Sequence, residues 1–318
     1  MLLFVETMVK AEAGKNQLNC LRALSSSLLT TALHRVILLP MTKLPADKVD
    51  ARIIALDLDD TLLDGDLHIK ALTVGALQEC VKRGIYVVLC SGRAENAILP
   101  YVRQLDIAGF EAGRYIIAMN GATIYDMHTR KQIYTRTVPG EILLETYRMA
   151  RKQGLPCQVY DPSTIYPSED NKWSRVDVDL CGLKMQVPED FEAFIKPGHS
   201  KMVIPGDPEK VAVLQEELKA AFGKRAVVFT SKPFFLEVMP PDCGKGEALL
   251  HLAETLGIPQ SATMAFGDSM NDESMIRGAA HSVAMVNGLP YIQDIARYIT
   301  RTDNNHDGVG DFIQAFVL

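Results

Sequence analysis

Apolar and polar positions along the chain fall into two regular regions, with a differently patterned stretch between them. Ile53–Leu56 is an uninterrupted apolar run, as expected of a strand covered on both faces of a parallel sheet. A helical spacing over 71–83 follows and stops at Gly84, a residue suited to the left-handed turn that ends helices. The apolar run 86–89 predicts a second buried strand, 94–105 a second helix, and Tyr115–Ala118 a third strand. Strands alternating with helices predict right-handed βαβ units in an open sheet. Residues 122–136 then turn β-rich and half polar, with turn residues near Met127, His128 and Thr129.

A new section starts at Pro139 and Glu141, which open a helix that ends at Gly154; short strands follow around Gln158 and Ile165. Residues 167–190 are charged and irregular and predict only weak helices. A strand is expected over 201–204. Asp207-Pro208, an N-cap carboxylate before a first-turn proline, starts a helix that runs to Gly223. Strands near Val227 and Leu236 complete the section. Beyond Pro240-Pro241 the α/β rhythm returns, with a helix over 245–256, a strand over 263–266, a helix near Ser274, a strand near Val283 and a last helix ending at Phe316. The fold class expected is α/β: a Rossmann-like open parallel sheet from 51–136 and 240–318, interrupted by an inserted α/β domain at 137–239.

Residues 1–50 precede this pattern and are expected to lie outside the core. Segment 18–39 mixes leucines with Ser25, Ser26, Ser27, Thr30 and Thr31 and carries Arg22, His34 and Arg35. It reads as a diluted targeting peptide without a cleavage site, as a loosely attached helix, or as an extension upstream of a start at Met41. A chain beginning at Met41 is expected to keep full activity. No run of about 18 uncharged apolar residues occurs, so no membrane span is expected. The net charge of −6 gives no general attraction to nucleic acid or anionic membrane. Six cysteines without a C-x-x-C pair point to small buried hydrophobes in a reducing, cytoplasmic setting, and not to zinc. Nothing in the pattern sets an oligomeric state.

Reactive groups gather in the loops that follow three of the predicted strands, where open α/β sheets bind ligands. After the first strand comes Asp57-Leu58-Asp59-Asp60-Thr61. Asp57 and Asp59 lie two apart as the strand ends, so both can face one side. Their mutual repulsion is relieved by a hard divalent ion such as Mg²⁺, which takes oxygen ligands; alternatively Asp59, Asp60 and Thr61 merely cap a turn. After the second strand, Ser91-Gly92-Arg93 offers a hydroxyl and backbone amides to a phosphate oxygen, or Ser91 is a plain N-cap. After the strand at 263–266, Gly267-Asp268-Ser269-Met270-Asn271-Asp272 adds two acids and an amide, of which Asp268 alone could be an N-cap. Lys245 is the fourth element. A cation in a helix's first turn opposes the macrodipole, so it is either a solvated surface group or a partner for the acidic cluster and a bound phosphate.

Taken in order, these four strings resemble those of the haloacid dehalogenase-like hydrolases, specifically the Cof-type branch, over about residues 51–318. The resemblance implies a Mg²⁺-dependent phosphatase acting on a small phosphorylated metabolite: a sugar phosphate, pyridoxal phosphate or a flavin-pathway phosphate. It implies Asp57 as nucleophile and Asp59 as general acid/base. Ser91, Gly92 and Lys245 would hold the phosphoryl group. Asp268 would ligate the metal with Asp57 and the Asp59 backbone carbonyl, while Asn271 and Asp272 would support metal and lysine. Asn120-Gly121 resembles the family's loop near the substrate. Asp60 and Ser269 stand where many members carry glycine, and neither change removes a reacting group.

Two other functions fit the same pattern. A phosphomutase of the phosphomannomutase type would need basic residues in the insert to hold a second phosphate; Arg148, Arg151, Lys152, Lys172, Arg175 and Lys184 are there, without an obvious cluster. A metabolite-binding regulator on the same fold would have no use for Asp57, Asp59, Lys245 and Asp268 together.

Overall fold

The computed structural model of the chain describes residues 43–318. The expectations for segment 18–39 and a start at Met41 fall outside the described residues, whereas Val49, expected to lie outside the core, is buried in its main cluster and donates its amide to the Phe316 carbonyl. The first part of the chain supplies strands β1 (Ile53–Leu56), β2 (Tyr86–Cys90), β3 (Tyr115–Ala118), β4 (Thr123–Asp126) and β5 (Lys131–Thr135). The middle supplies β6 (Gln158–Tyr160), β7 (Thr164–Pro167), β8 (Lys184–Met185), β9 (Met202–Pro205), β10 (Val227–Lys232) and β11 (Phe235–Met239), and the last part β12 (Thr263–Gly267), β13 (His281–Ala284) and β14 (Tyr298–Ile299).

One sheet is built from both ends of the chain, in the order β14-β13-β12-β1-β2-β3-β4-β5. It is parallel from β14 to β3, and β4 and β5 close it as antiparallel strands. The side chains explain the uninterrupted apolar runs. Ile54, Leu56, Val87, Leu89, Met264 and Phe266 pack on one face, under the helices Ala71–Lys82, Glu95–Leu105 and Gly308–Phe316. Ile53, Ala55, Val88, Cys90 and Ala265 pack on the other, under the helix Lys245–Thr255. Alternate residues enter opposite layers, and burying each large aliphatic side chain is worth about 1.5–3 kcal/mol. Successive strands run outward from β1 on one side, and the late strand β12 returns to its other side. Loops leaving the carboxyl ends of β1, β2 and β12 therefore converge at a switch point, where a crevice forms.

The second sheet has the order β10-β11-β9-β6-β7-β8, antiparallel except where β8 joins β7. Here alternation separates two environments. Val159, Ile204, Leu236 and Val238 pack beneath the helices Gly140–Lys152 and Pro208–Phe222, whereas Tyr160, Val203 and Phe235 share a cluster with residues of the first sheet's layer. Both sheets belong to one compact unit, Leu44–Leu318. Among the described residues no helix is long and apolar enough to cross a membrane.

The segment predicted to be irregular contains a well-formed helix, Lys172–Cys181, which must replace the weak helices expected over 167–190. A capping box starts it: the Asn171 side chain accepts from the backbone of Trp173 and Ser174, and the Ser174 hydroxyl accepts from the Asn171 backbone. Gly182 ends it in the left-handed conformation. The run Val176-Asp177-Val178-Asp179 alternates with a period of two, and that alternation hid a helical face. The helix Pro290–Ile295 and the two-residue strands β8 and β14 were also absent from the sequence pattern.

Candidate active site

Asp57 is the first residue past β1, its backbone amide still donating to Phe266 on β12. The chain then makes a tight π-turn over Leu58–Leu62, with Asp60 in the left-handed region at φ 59°. Glycine adopts that conformation freely and Asp is among the few other residues that tolerate it, so the exchange of glycine for Asp60 is structurally sound. Buried Leu58, Leu62 and Leu63 hold the turn from below.

Lys245 opens its helix directly after Gly244 and is completely buried, which removes the reading as a solvated surface lysine. Its ammonium donates to Asp57 Oδ1 at 2.5 Å and Asp272 Oδ1 at 2.6 Å. The other oxygen of Asp272 accepts from the backbone amides of Asp268 and Ser269 at 2.9 and 3.1 Å. Asp268 is not an N-cap; its Oδ1 accepts from the Thr61 hydroxyl at 3.0 Å. Ser269 takes the capping role instead.

Carboxylate oxygens of Asp57, Asp268 and Asp272 lie within 4.8 Å of one another, all buried. One ammonium cannot neutralise three buried carboxylates, and the electrostatics record the deficit. Burial, then repulsion from Asp272, pushes the Asp57 carboxyl well above its ordinary range despite Lys245. Burial and Asp272 likewise raise Asp268 to about 7. Burial alone would lower the Lys245 ammonium, but Asp272 and Asp57 outweigh it and hold the charge on. The site lacks positive charge beside hard oxygen donors, which is the chemistry a divalent cation fits.

Asp59 stands apart from this cluster. Its carboxylate forms a two-pronged pair with Arg93, Nε to Oδ2 at 3.0 Å and Nη2 to Oδ1 at 2.5 Å. Burial would raise its carboxyl, but the hydrogen bonds and charge of Arg93 prevail and hold it below the usual range. Ser91 is buried, does not border the cleft, and accepts from the Arg93 backbone amide at 3.2 Å. The following helix is capped at Ala94 and begins at Glu95, so Ser91 is not its N-cap.

Gly92, Asn120 and Gly121 form the next layer. A Cβ on Gly92 would lie 2.9 Å from Asn120 Oδ1, and one on Gly121, whose φ is +93°, would lie 2.0 Å from the Gly244 carbonyl oxygen. Gly121 is therefore required for its loop to pack against the backbone of Gly244 and Lys245, whereas a side chain at position 92 would displace only the Asn120 amide. The Asn120 side chain accepts from Asn271 at 3.1 Å and donates to Glu237 at 3.0 Å. Asn271 accepts in turn from the Ser269 hydroxyl at 2.7 Å.

Sequence reasoning missed three participants, Arg93, Lys201 and Glu237. Lys201, just before β9, and Glu237, on β11, are buried together at 3.0 Å, and Lys201 also donates to the Gly92 carbonyl at 2.9 Å. Arg93 had a signal, standing next to the Ser-Gly pair; the other two lie 36 residues apart and had none. These groups border a cleft of about 360 Å³ between the two sheets, which reaches Asp57, Asp59, Asn120, Asp268 and Asn271 on one side and Tyr160, Asp177 and Phe235 on the other. Among the described residues none of Arg148, Arg151, Lys152, Lys172, Arg175 and Lys184 borders it.

Residues 54–313 match the family model of the haloacid dehalogenase-like hydrolases, and the chain belongs to that family, as a Cof-type phosphatase. A Streptococcus pyogenes protein, provisionally named a phosphatase, is 31% identical over 271 residues, covering 84% of this chain and 98% of that one. The HMP-PP phosphatase of Serratia proteamaculans is 30% identical over 255 residues, covering 77% and 87%. The 5-amino-6-(5-phospho-D-ribitylamino)uracil phosphatase YwtE of Bacillus subtilis is 30% identical over 290 residues, covering 82% and 96%. The crystal structure of a haloacid dehalogenase-like hydrolase from Bacteroides thetaiotaomicron superposes with a TM-score of 0.76 at 30% identity, covering 83% of this chain and 99% of that one.

Proposed function

We propose that this phosphatase hydrolyses the ester of a small phosphorylated metabolite through an aspartyl-phosphate intermediate on Asp57, with Mg²⁺ at Asp57 and Asp268. The observation that carries this is the deficit of positive charge around three buried carboxylates, two of which, Asp57 and Asp268, border the cleft. Asp272 spends both oxygens on Lys245 and backbone amides, so its part is to fix the lysine. When bound, the cation would keep Asp57 ionised and neutralise phosphoryl oxygens.

Asp57 attacks phosphorus in line as the bond to the ester oxygen breaks, and the departing alkoxide takes a proton from Asp59. Asp59 then removes a proton from water as that oxygen attacks phosphorus, which releases phosphate and restores Asp57. Lys245 offsets charge on the phosphoryl group from below, with backbone amides of the Gly92 loop beside it. As held by Arg93, Asp59 is ready for the base step; to act as acid it must leave the guanidinium. Residues 137–239 serve as the cap over the site, and they supply the wall that meets the alcohol portion of the substrate. A phosphomutase is disfavoured because Arg148, Arg151, Lys152, Lys172, Arg175 and Lys184 lie away from the cleft and Lys201, which borders it, is engaged by Glu237.

The direct test is p-nitrophenyl phosphate turnover. The protein should hydrolyse it, lose that activity in excess EDTA, and recover it on adding Mg²⁺. Undiminished turnover in EDTA would remove the metal from the proposal, and no turnover in Mg²⁺ would favour a binding protein.

A second expectation concerns pH. Asp268 rises from 3.8 to about 7 on folding and Asp57 rises as well. The folded state then binds more protons than the unfolded one, so stability from these carboxyls falls as pH rises from about 4 to about 7. Mg²⁺ competes with those protons. The Mg²⁺-induced increase in Tm should therefore be larger at pH 8 than at pH 5.5, with proton release on binding near pH 6.5. Calorimetry in two buffers of different ionisation enthalpy measures that release, and a Tm increment independent of pH would contradict the carboxylate site.

A further inference from the structure

The cleft wall opposite Asp57 carries a carboxylate that the reaction above does not use. Asp177 sits on the helix Lys172–Cys181, is only 7% exposed, and still borders the cleft. Its Oδ2 accepts from the Tyr160 hydroxyl and from Gln158 Nε2, the latter at 2.7 Å. Burial, together with Asp177, pushes the Tyr160 phenol well above its ordinary range, so it remains a donor. Oδ1 receives only the Cys181 thiol, at 3.1 Å, and a thiol is a weak donor. No lysine, arginine or histidine forms an ion pair with Asp177 among the described residues, so three neutral donors, one of them the weak thiol, orient the carboxylate. Oδ1, held only by that weak donor, has room for a further hydrogen bond, and Asp177 borders the cleft.

The cations of the cleft are already engaged. Arg93 is committed to Asp59, and Lys201 to Glu237 and the Gly92 carbonyl. Lys232, at the exposed end of β10, is the remaining lysine on the wall. A second phosphate or a carboxylate on the substrate would face Asp177 with little to balance it.

Building on the phosphatase reading, we propose that Asp177 determines specificity, and that the alcohol portion of the substrate presents hydroxyl or amino donors to it instead of a second anionic group. A cleft of about 360 Å³ lies near the small end of ligand pockets, which span roughly 300–1,000 Å³, so the alcohol portion that meets Asp177 is small.

The test compares kcat/KM for glucosamine 6-phosphate and glucose 6-phosphate with that for 3-phosphoglycerate, fructose 1,6-bisphosphate and p-nitrophenyl phosphate, whose leaving group has no donor to offer. The wild-type protein should favour the first two over the two anionic esters. Asp177→Asn should lower the ratio of amino-sugar to p-nitrophenyl ester by roughly 10- to 100-fold, as expected for a hydrogen bond to a charged group. Tyr160→Phe removes one orienting donor and should move the ratio the same way by a smaller factor; it decides the matter if Asp177→Asn misfolds. An unchanged ratio in both variants, or wild-type preference for the anionic esters, would overturn the assignment while leaving the phosphatase intact. Absence of p-nitrophenyl phosphate turnover in the wild type would overturn both.

Discussion

Asp57→Asn should form no phosphoenzyme with any ester, whereas Asp59→Asn should form one from activated esters and then stall. The distinction follows from where the two carboxylates sit. Asp57 touches Lys245 and shares the buried carboxylate cluster, while Asp59 lies outside it on Arg93. Without Asp59 an alkyl ester lacks its proton donor, and its first step should slow by roughly 10²–10⁴. An acyl phosphate leaves without that help, so label should accumulate on Asp59→Asn because the base for the second step is missing. Rapid quench with labelled acyl phosphate, followed by counting of acid-stable, hydroxylamine-labile label on protein, reads this directly. Label on Asp57→Asn would refute the choice of nucleophile. Neither variant should lose much stability. The Asp59–Arg93 pair is partly exposed, with the Asp59 side chain at 42%, and such pairs are worth about 0–1 kcal/mol. Asp57→Asn lowers the charge repulsion around Asp272 and Asp268.

The parts of this site that were legible in the sequence are those that chain connectivity places at strand ends. A buried parallel strand declares itself as an apolar run, and the residue after it must enter the crevice, so Asp57 and the 267–272 loop could be located from pattern alone. Lys245 was legible through a different signal, a cation where the helix dipole disfavours one, and its complete burial supplies the reason. The Lys201–Glu237 pair left no comparable trace, because each is a single charged residue at or beside an apolar run, with nothing local to name its partner. Its meaning arises only when β9 and β11 pair and bring the two together beside Gly92. Asp177 was hidden by the same logic in reverse, since the alternation around it imitates a strand and the helix start depends on side-chain caps. The pairing of Asp59 with Arg93 was also out of reach, being a contact between two loops with no fixed spacing. Residues meeting within one loop are written locally, while those that close the cleft from the second sheet are not.

Replacing the lysine should have the largest effect on stability. Lys245→Met keeps the volume and removes the ammonium, so Asp57 and Asp272 are left buried without their shared partner. Breaking a buried pair from one side costs about 3–5 kcal/mol, which for a domain of this size lowers Tm by roughly 6–20 °C. The deficit should depend on pH. With the ammonium gone, the carboxyls are raised further and the folded state takes up more protons than the unfolded one. The destabilisation relative to wild type should therefore be small near pH 5 and grow toward pH 8 in EDTA. Adding Asp57→Asn to Lys245→Met should recover part of the loss by removing one of the stranded charges. Catalysis should fall by roughly 10²–10³ even where the variant is folded, the usual cost of deleting one group that stabilises developing charge. Thermal melts at pH 5 and pH 8 with Mg²⁺ withheld, run beside p-nitrophenyl phosphate assays with Mg²⁺ restored, separate the two effects. A melting deficit that does not change with pH would mean that Lys245 supports the fold by packing alone, and that the carboxylates around it are compensated in some other way.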